Sequence, residues 1–284
     1  MELALLGALL DTLRRWFKVE DADLKYVMLV DASGDPQMRA NWGKIQRAIR
    51  VVALSLPESV DLTVITFEKD AKVVYRGPAG LLDLSAFPST PRGLYTGWGE
   101  ALESVAKEAK GKPTLVFTLS ACCVAGVDIP SPRSKYARAE AWQELREKFR
   151  GLDIFFIPVK IGDAPFTYTD TLRELVDSSR VLEAVSLLSV ARNVEEVKGK
   201  VLSRMLKELL RRELARGGLR LHYHIKGKNR EELWLVNAYE HLPVVLESID
   251  SVEGRYLGVI VDKQPPRLTI SPGDSVCLEK SGKR

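Results

Sequence analysis

Lys25-Tyr26-Val27-Met28-Leu29-Val30-Asp31, followed at once by Ala32-Ser33-Gly34-Asp35, is the stretch on which the fold turns. Residues 25–31 form a nearly unbroken apolar run. A strand with one wet face alternates apolar with polar residues. A run without alternation predicts a strand covered on both faces, as in a parallel sheet. The run stops at a carboxylate, and the small and polar residues after it are those of a loop at a strand's carboxyl end.

Working outward, apolar runs alternate with helical periods as far as residue 217, the pattern of a doubly wound, mostly parallel α/β sheet flanked by helices. A helix is predicted over 37–56, with Ile45, Ile49, Val52 and Leu54 as core candidates. Then come a strand over 60–67 with a hairpin partner over 71–75, a Pro-rich loop over 87–96 and a helix over 99–110. A strand over 114–120, a loop with Pro130 and Pro132, a helix over 136–149 and a strand over 152–159 follow. The pattern closes with a helix over 169–178, a last strand near 181–187 and a long helix. Asn193 with Glu196 three residues on has capping-box spacing for the start of that helix, and Gly217-Gly218 ends it.

Residues 218–284 change character. Six short alternating segments, split by Gly, Pro and Asn and without a helical period, predict a small all-β, sandwich-like domain. At the other end, Leu3, Leu6, Leu10, Leu13 and Phe17 share one stripe of an amphipathic helix, expected to dock on the main domain. The expected division is therefore 1–22, 23–217 and 218–284.

In an open α/β sheet, ligands sit at the carboxyl ends of the strands, where the strand order reverses. Three segments are expected to meet there: Asp31, Ser33 and Asp35 after the first strand, Thr96 before the helix that opens Gly97-Trp98-Gly99-Glu100, and Ser120 at the end of the strand over 114–120. Carboxylate and hydroxyl oxygens suit a hard cation such as Mg²⁺. The order and spacing resemble the metal-ion-dependent adhesion site (MIDAS) of the von Willebrand factor type A family. Its pattern is Asp-x-Ser-x-Ser, then a Thr before a helix start, then an Asp ending the fourth strand. Asp31, Ser33 and Thr96 match; Asp35 stands at the second Ser and Ser120 at the Asp. The resemblance runs from about residue 24 to residue 217. It implies a divalent cation, weak or absent here because the site is degenerate, and a protein partner docking on the same face. In the family the cation stays electrophilic and draws an acidic residue from the partner. A direct Asp35 ligand would neutralise it further; the alternative is that Asp35 caps the next helix over an empty site.

Arg92, Tyr95 and Trp98 cluster in the loop that carries Thr96, and all three types are enriched at binding hot spots. They are candidate partner-binding residues; a core role is the alternative for Trp98. His222 and His224 share a strand face with Arg220 and Lys226 and read as solvated, with no third metal ligand. Cys122-Cys123 and Cys277 form no disulfide or zinc pattern, so a reducing compartment is expected. The basic run Arg204, Lys207, Arg211, Arg212 and Arg216 is interleaved with Glu208 and Glu213 and reads as a solvated helix face.

The 42 Lys and Arg against 38 Asp and Glu leave a net charge of +4, too balanced for a dedicated nucleic-acid binder. No apolar run is long enough to span a bilayer, and the N-terminus lacks the basic-then-apolar order of a signal peptide, so a cytoplasmic location is expected. Scarce Asn and Gln beside plentiful charge point to a thermophilic source. No Ser-His-Asp, Cys-His or P-loop arrangement stands out. The function expected is a non-enzymatic adaptor or scaffold. Family members inside cells often work in larger assemblies, some beside AAA+ ATPases. The alternatives are a structural component of a virion or cell coat, and a metal-dependent hydrolase, for which a general base is lacking.

Overall fold

The computed structural model describes residues 11–20, 23–92, 95–120, 134–161, 168–225, 230–246 and 268–282. The chain divides into two compact units, Glu20–Val201 and a second made of Met1–Val19 with Leu202–Arg284. This division passes through the long helix, whereas the sequence pattern places a boundary at its end.

The first unit is a five-stranded sheet in the order β3-β2-β1-β4-β5. Its strands are β1 (Lys25–Asp31), β2 (Asp61–Phe67), β3 (Ala71–Pro78), β4 (Thr114–Leu119) and β5 (Ile154–Val159). All neighbours are parallel except β2 and β3, which form the hairpin. The helices are α2 (Pro36–Leu54), α3 (Trp98–Glu108), α4 (Ala139–Arg150), α5 (Tyr168–Leu175) and α6 (Val190–Ala215), which crosses into the second unit; α1 is the helix at 11–17. Every residue of β4 and β5 is buried, and in β1 only Lys25 is not, as the unbroken apolar runs require.

Successive residues of β1 face opposite ways. Val27 and Leu29 join a core with Leu102 and Val105 of α3, Leu145 and Phe149 of α4, and Leu172 of α5. Helix α2 buries Met38, Trp42, Ile45, Ile49 and Val52 at helical spacing. Leu54, expected in that core, is 84% exposed at the helix's last residue. Helix α6 begins at Val190, a turn before the expected cap: Asn193 lies inside it and its side-chain amide donates to Ser189 O at 2.8 Å.

The last expected strand is only a pair of isolated parallel bridges, Phe156 to Val181 and Val159 to Val185. Leu182 N–H donates to Phe156 O at 3.0 Å, Val185 N–H to Pro158 O at 2.8 Å, and Lys160 N–H to Val185 O at 2.7 Å. Pro158 sits between the outward-bonding residues 156 and 160 and has no N–H to give, so the ladder loses a rung where it would have to be continuous.

The second unit holds two antiparallel sheets among its described residues. One has the order β10-β7-β6, from β6 (Leu219–Ile225), β7 (Arg230–Asn237) and β10 (Ser275–Gly282). The other pairs β8 (Val244–Leu246) with β9 (Leu268–Ile270). Of the six segments expected there, the one at 256–262 lies outside the described residues. Fully buried Asn237 ties the two sheets: its side-chain amide donates to Leu242 O at 2.8 Å and Ile270 O at 3.0 Å, and its side-chain carbonyl accepts from Tyr239 N–H at 3.0 Å. Gly218 follows α6 because a Cβ there would lie 1.8 Å from the Tyr239 ring. Leu13 and Phe17 of α1 are buried, and the Phe17 ring meets His241 edge-on at 5.4 Å in the same unit.

Helices α3 and α4 are pinned by a charged cluster. Gly99 lets Tyr136 lie against α3, since a Cβ there would come within 2.1 Å of its ring. Glu103 takes Lys135 Nζ at 2.8 Å and Lys148 Nζ at 3.1 Å. Burial works against this carboxylate, but hydrogen bonds from Lys135, Lys148 and Tyr136 outweigh it and hold the carboxyl down at about 2. The same burial, with Glu103 beside it, pushes the Tyr136 hydroxyl above its usual range. A folded-state value below the unfolded one of 4.5 contributes stability that is complete above 4.5 and lost as pH falls through about 2. Glu103→Gln is therefore expected to destabilise the protein at neutral pH, with the deficit shrinking toward pH 2 in urea unfolding. A deficit of constant size across that range would refute the ion-pair account.

Candidate functional site

The chain runs from β1 through β2 to β3 on one side, then returns to place β4 on the other side of β1. The switch point therefore lies between β1 and β4, the place where open α/β sheets carry ligands. Asp31 ends β1 and Ser120 follows β4, and the register Val30 to Leu119 brings them side by side. Asp31 has 0% exposure, with Ser33 and Ser120 at 1% each. The Ser120 hydroxyl donates to Asp31 Oδ2 at 2.7 Å, and the Ser33 N–H donates to Oδ1 at 2.9 Å. Both carboxylate oxygens are thus served from within the protein.

Thr96, also buried, is positioned by its neighbour. Gly97 N–H donates to Glu68 O at 2.6 Å, so the loop lies against the β2–β3 turn. A Cβ on Gly97 would come within 2.9 Å of Lys69 O, so only glycine fits there. Asp35 is turned elsewhere. It is the N-cap of α2, its Oδ1 accepting Gln37 N–H at 2.8 Å with Pro36 at the first helical position. Of the two roles expected for Asp35, ligand or cap, the geometry shows the cap: a short acidic side chain before a helix gains a backbone donor.

These residues do not fit the cation implied by the resemblance. Among the described residues no group of three His, Cys, Asp or Glu is placed to hold a metal. The one buried carboxylate has each oxygen engaged by a protein donor, one of them the hydroxyl at the position where the family has its other Asp.

Of the proposed partner-binding residues, Arg92 is exposed and Tyr95 is half-buried. Trp98, also expected at the binding face, is a core residue. It is 8% exposed, belongs to the cluster of Val27, Leu29 and Leu102, and packs on the Phe67 ring at 4.8 Å between centroids. Here the first position of the helix points inward, onto the ring of Phe67 that ends β2. His222 is exposed on β6 opposite Trp234. Cys122 and Cys123 lie outside the described residues. Glu100, in the first turn of α3, accepts the Ser134 hydroxyl and was not among the candidates; its position three residues before Glu103 reads as ordinary helix surface.

No family model and no curated protein matches the chain. Among solved structures it is similar to a von Willebrand factor type A protein from Catenulispora acidiphila, at 15% identity and a TM-score of 0.44, covering 91% of this chain and 56% of that one. It is similar to a variant of the PilB minor pilin from Streptococcus sanguinis, at 11% identity and a TM-score of 0.44, covering 64% and 62%. It is also similar to proximal thread matrix protein 1 from the mussel byssus with a zinc-occupied MIDAS motif, at 15% identity and a TM-score of 0.42, covering 61% and 46%. The chain thus spans less than two thirds of each of these proteins. The chain's own strand order and single antiparallel edge strand make the fold a doubly wound, mostly parallel α/β sheet.

Trp98→Ala should cost about 3–5 kcal/mol of stability, the range for emptying an aromatic from a packed core. Arg92→Ala, at the exposed rim, should change stability by less than about 0.5 kcal/mol. Urea unfolding of the two variants checks the contrast, and a stable Trp98→Ala protein would return that residue to the binding face.

Proposed function

We propose that this chain is a non-catalytic protein-interaction module. Its docking face is the rim formed by the carboxyl ends of β1, β2 and β4 with the 87–96 loop, and it works without a divalent cation. The observation that carries the reading is the closed group of Asp31, Ser33 and Ser120 at the switch point. The group stands where the fold places ligands, yet its carboxylate is already satisfied and has no exposed surface. A Ser120 hydroxyl at 1% exposure has no route to a substrate, which argues against hydrolysis. Docking then falls to the residues around the group that reach the surface, exposed Arg92 and half-buried Tyr95 among them. The adaptor role in an assembly with an AAA+ ATPase rests on the family resemblance alone, and the identity of the captured partner decides it.

The test uses the full chain as bait in native extract, with cross-linking and mass spectrometry to locate the partner. Cross-links are expected on residues 34–37 and 88–92. Gln37→Trp, at an exposed position beside Asp35, should lower capture of that partner by about tenfold, equivalent to about 1.4 kcal/mol. Capture should be the same in EDTA as in magnesium. Cross-links confined to the second unit, or capture indifferent to Gln37→Trp, would sink the proposal. Loss of capture in EDTA would sink its metal-free part.

A further inference from the structure

Beside the buried oxygen group lies a pocket of about 430 Å³ that the sequence pattern does not announce. Its lining includes buried Ala32, between Asp31 and Ser33, and Thr66 near the end of β2. Glu68 and Asp70 of the β2–β3 turn, Lys72 of β3 and Arg92 after the 88–90 segment line it too. The walls are held from behind: Trp42 Nε1–H donates to Pro88 O at 3.1 Å, and Gly97 N–H donates to Glu68 O at 2.6 Å. The volume is that of a cleft able to receive side chains or a small ligand.

Four charged side chains, two of each sign, border this pocket. Elsewhere on the same unit some charges find partners: Arg76 with Glu108, Lys148 and Lys135 with Glu103, Arg146 with Glu174, Arg173 with Glu183. Others such as Lys44, Arg47 and Arg50 find none among the described residues, but these three do not line this hollow of mixed charge. Around the pocket, among the described residues, no side chain of Glu68, Asp70, Lys72 or Arg92 enters an ion pair or hydrogen bond. Two anions and two cations therefore border one hollow without closing on one another.

We propose that this pocket is the specificity site of the docking face, and that it takes a partner segment in which an acidic side chain adjoins a basic one. The proposal rests on the docking reading above and names its chemistry. Arg92 takes the carboxylate, because a guanidinium presents a rigid fork of donors that matches a carboxylate in two bonds. Lys72 adds a second positive charge. Glu68 and Asp70 take the neighbouring ammonium or guanidinium. Opposed charges arranged this way fix register and reject segments carrying one sign only.

The test is a nuclear magnetic resonance titration of the full ¹⁵N-labelled chain with capped synthetic peptides. One alternates Glu and Lys, a second of equal length is Gly and Ser only, and a third is Glu and Gly only. The Glu-Lys peptide is expected to shift the amides of 68–72 and 88–92. The Gly-Ser peptide should leave them in place, and the Glu-Gly peptide should bind more weakly. Arg92→Glu should raise the half-saturating concentration of the Glu-Lys peptide by about tenfold, and Lys72→Glu by less, as expected for rim charges of graded geometry. Equal shifts from the Gly-Ser peptide, no shifts from any peptide, or a titration unchanged by Arg92→Glu overturns the proposal. If capture still fails in Gln37→Trp while the titration ignores Arg92→Glu, the docking face stands and this pocket chemistry falls. If both are indifferent, the docking face falls with it.

Discussion

Asp31 carries a carboxylate at the end of the central strand with no surface open to water. An ionised group so placed is tolerated only when its oxygens are hydrogen-bonded, because desolvation alone costs several kcal/mol. That requirement reaches far into the structure. Strand β4 has to end level with β1, which the Val30 to Leu119 register achieves, so that the Ser120 hydroxyl meets one oxygen. Residues 32–35 have to turn back so that the Ser33 N–H meets the other, which starts α2 at Pro36 with Asp35 as its cap. Had position 120 carried an Asp, two carboxylates would face each other at hydrogen-bond range and a cation or a shared proton would be needed between them. The hydroxyl removes that need.

The sheet was legible because burial on both faces leaves an unmistakable trace. The runs in β1, β4 and β5 have no alternation to misread, and the hairpin of β2 with β3 follows from the Glu68-Lys69-Asp70 turn. Helix ends were less legible. Asn193 and Glu196 have the spacing of a capping box, yet Ser189 starts the helix a turn earlier and Asn193 bonds back to it. Local spacing cannot tell a cap from a side chain that finds its acceptor one turn back. The missing sixth strand was written in Pro158, but which side of β5 its absent N–H would face depends on the partner strand, and that is a property of the sheet.

At the site, residue types were readable and directions were not. Asp31, Ser33 and Ser120 converge as their places after β1 and β4 require. Asp35 and Trp98 lie a few residues from the same point and leave it, one for a helix terminus and one for the Phe67 ring. Each choice depends on a neighbour distant in sequence or on a backbone donor whose aim is set by the turn. The charged pocket escaped notice for the converse reason: Glu68, Asp70, Lys72 and Arg92 are ordinary surface residues until the 88–92 segment is folded opposite the hairpin.

Both margins of the five-stranded sheet are spoiled for further pairing. Beyond β5, pairing amounts to two isolated bridges, one on either side of Pro158. At the other margin, β3 shows water the charged Lys72 and Arg76, ends in Pro78, and pairs with β2 through a register shift between Val64 and Ile65. Charges, prolines and bulges at a sheet's rim are the devices that keep one molecule's backbone from serving as a template for the next. This domain can therefore be crowded at high local concentration, as in a multi-copy assembly, without its sheets joining edge to edge into fibres.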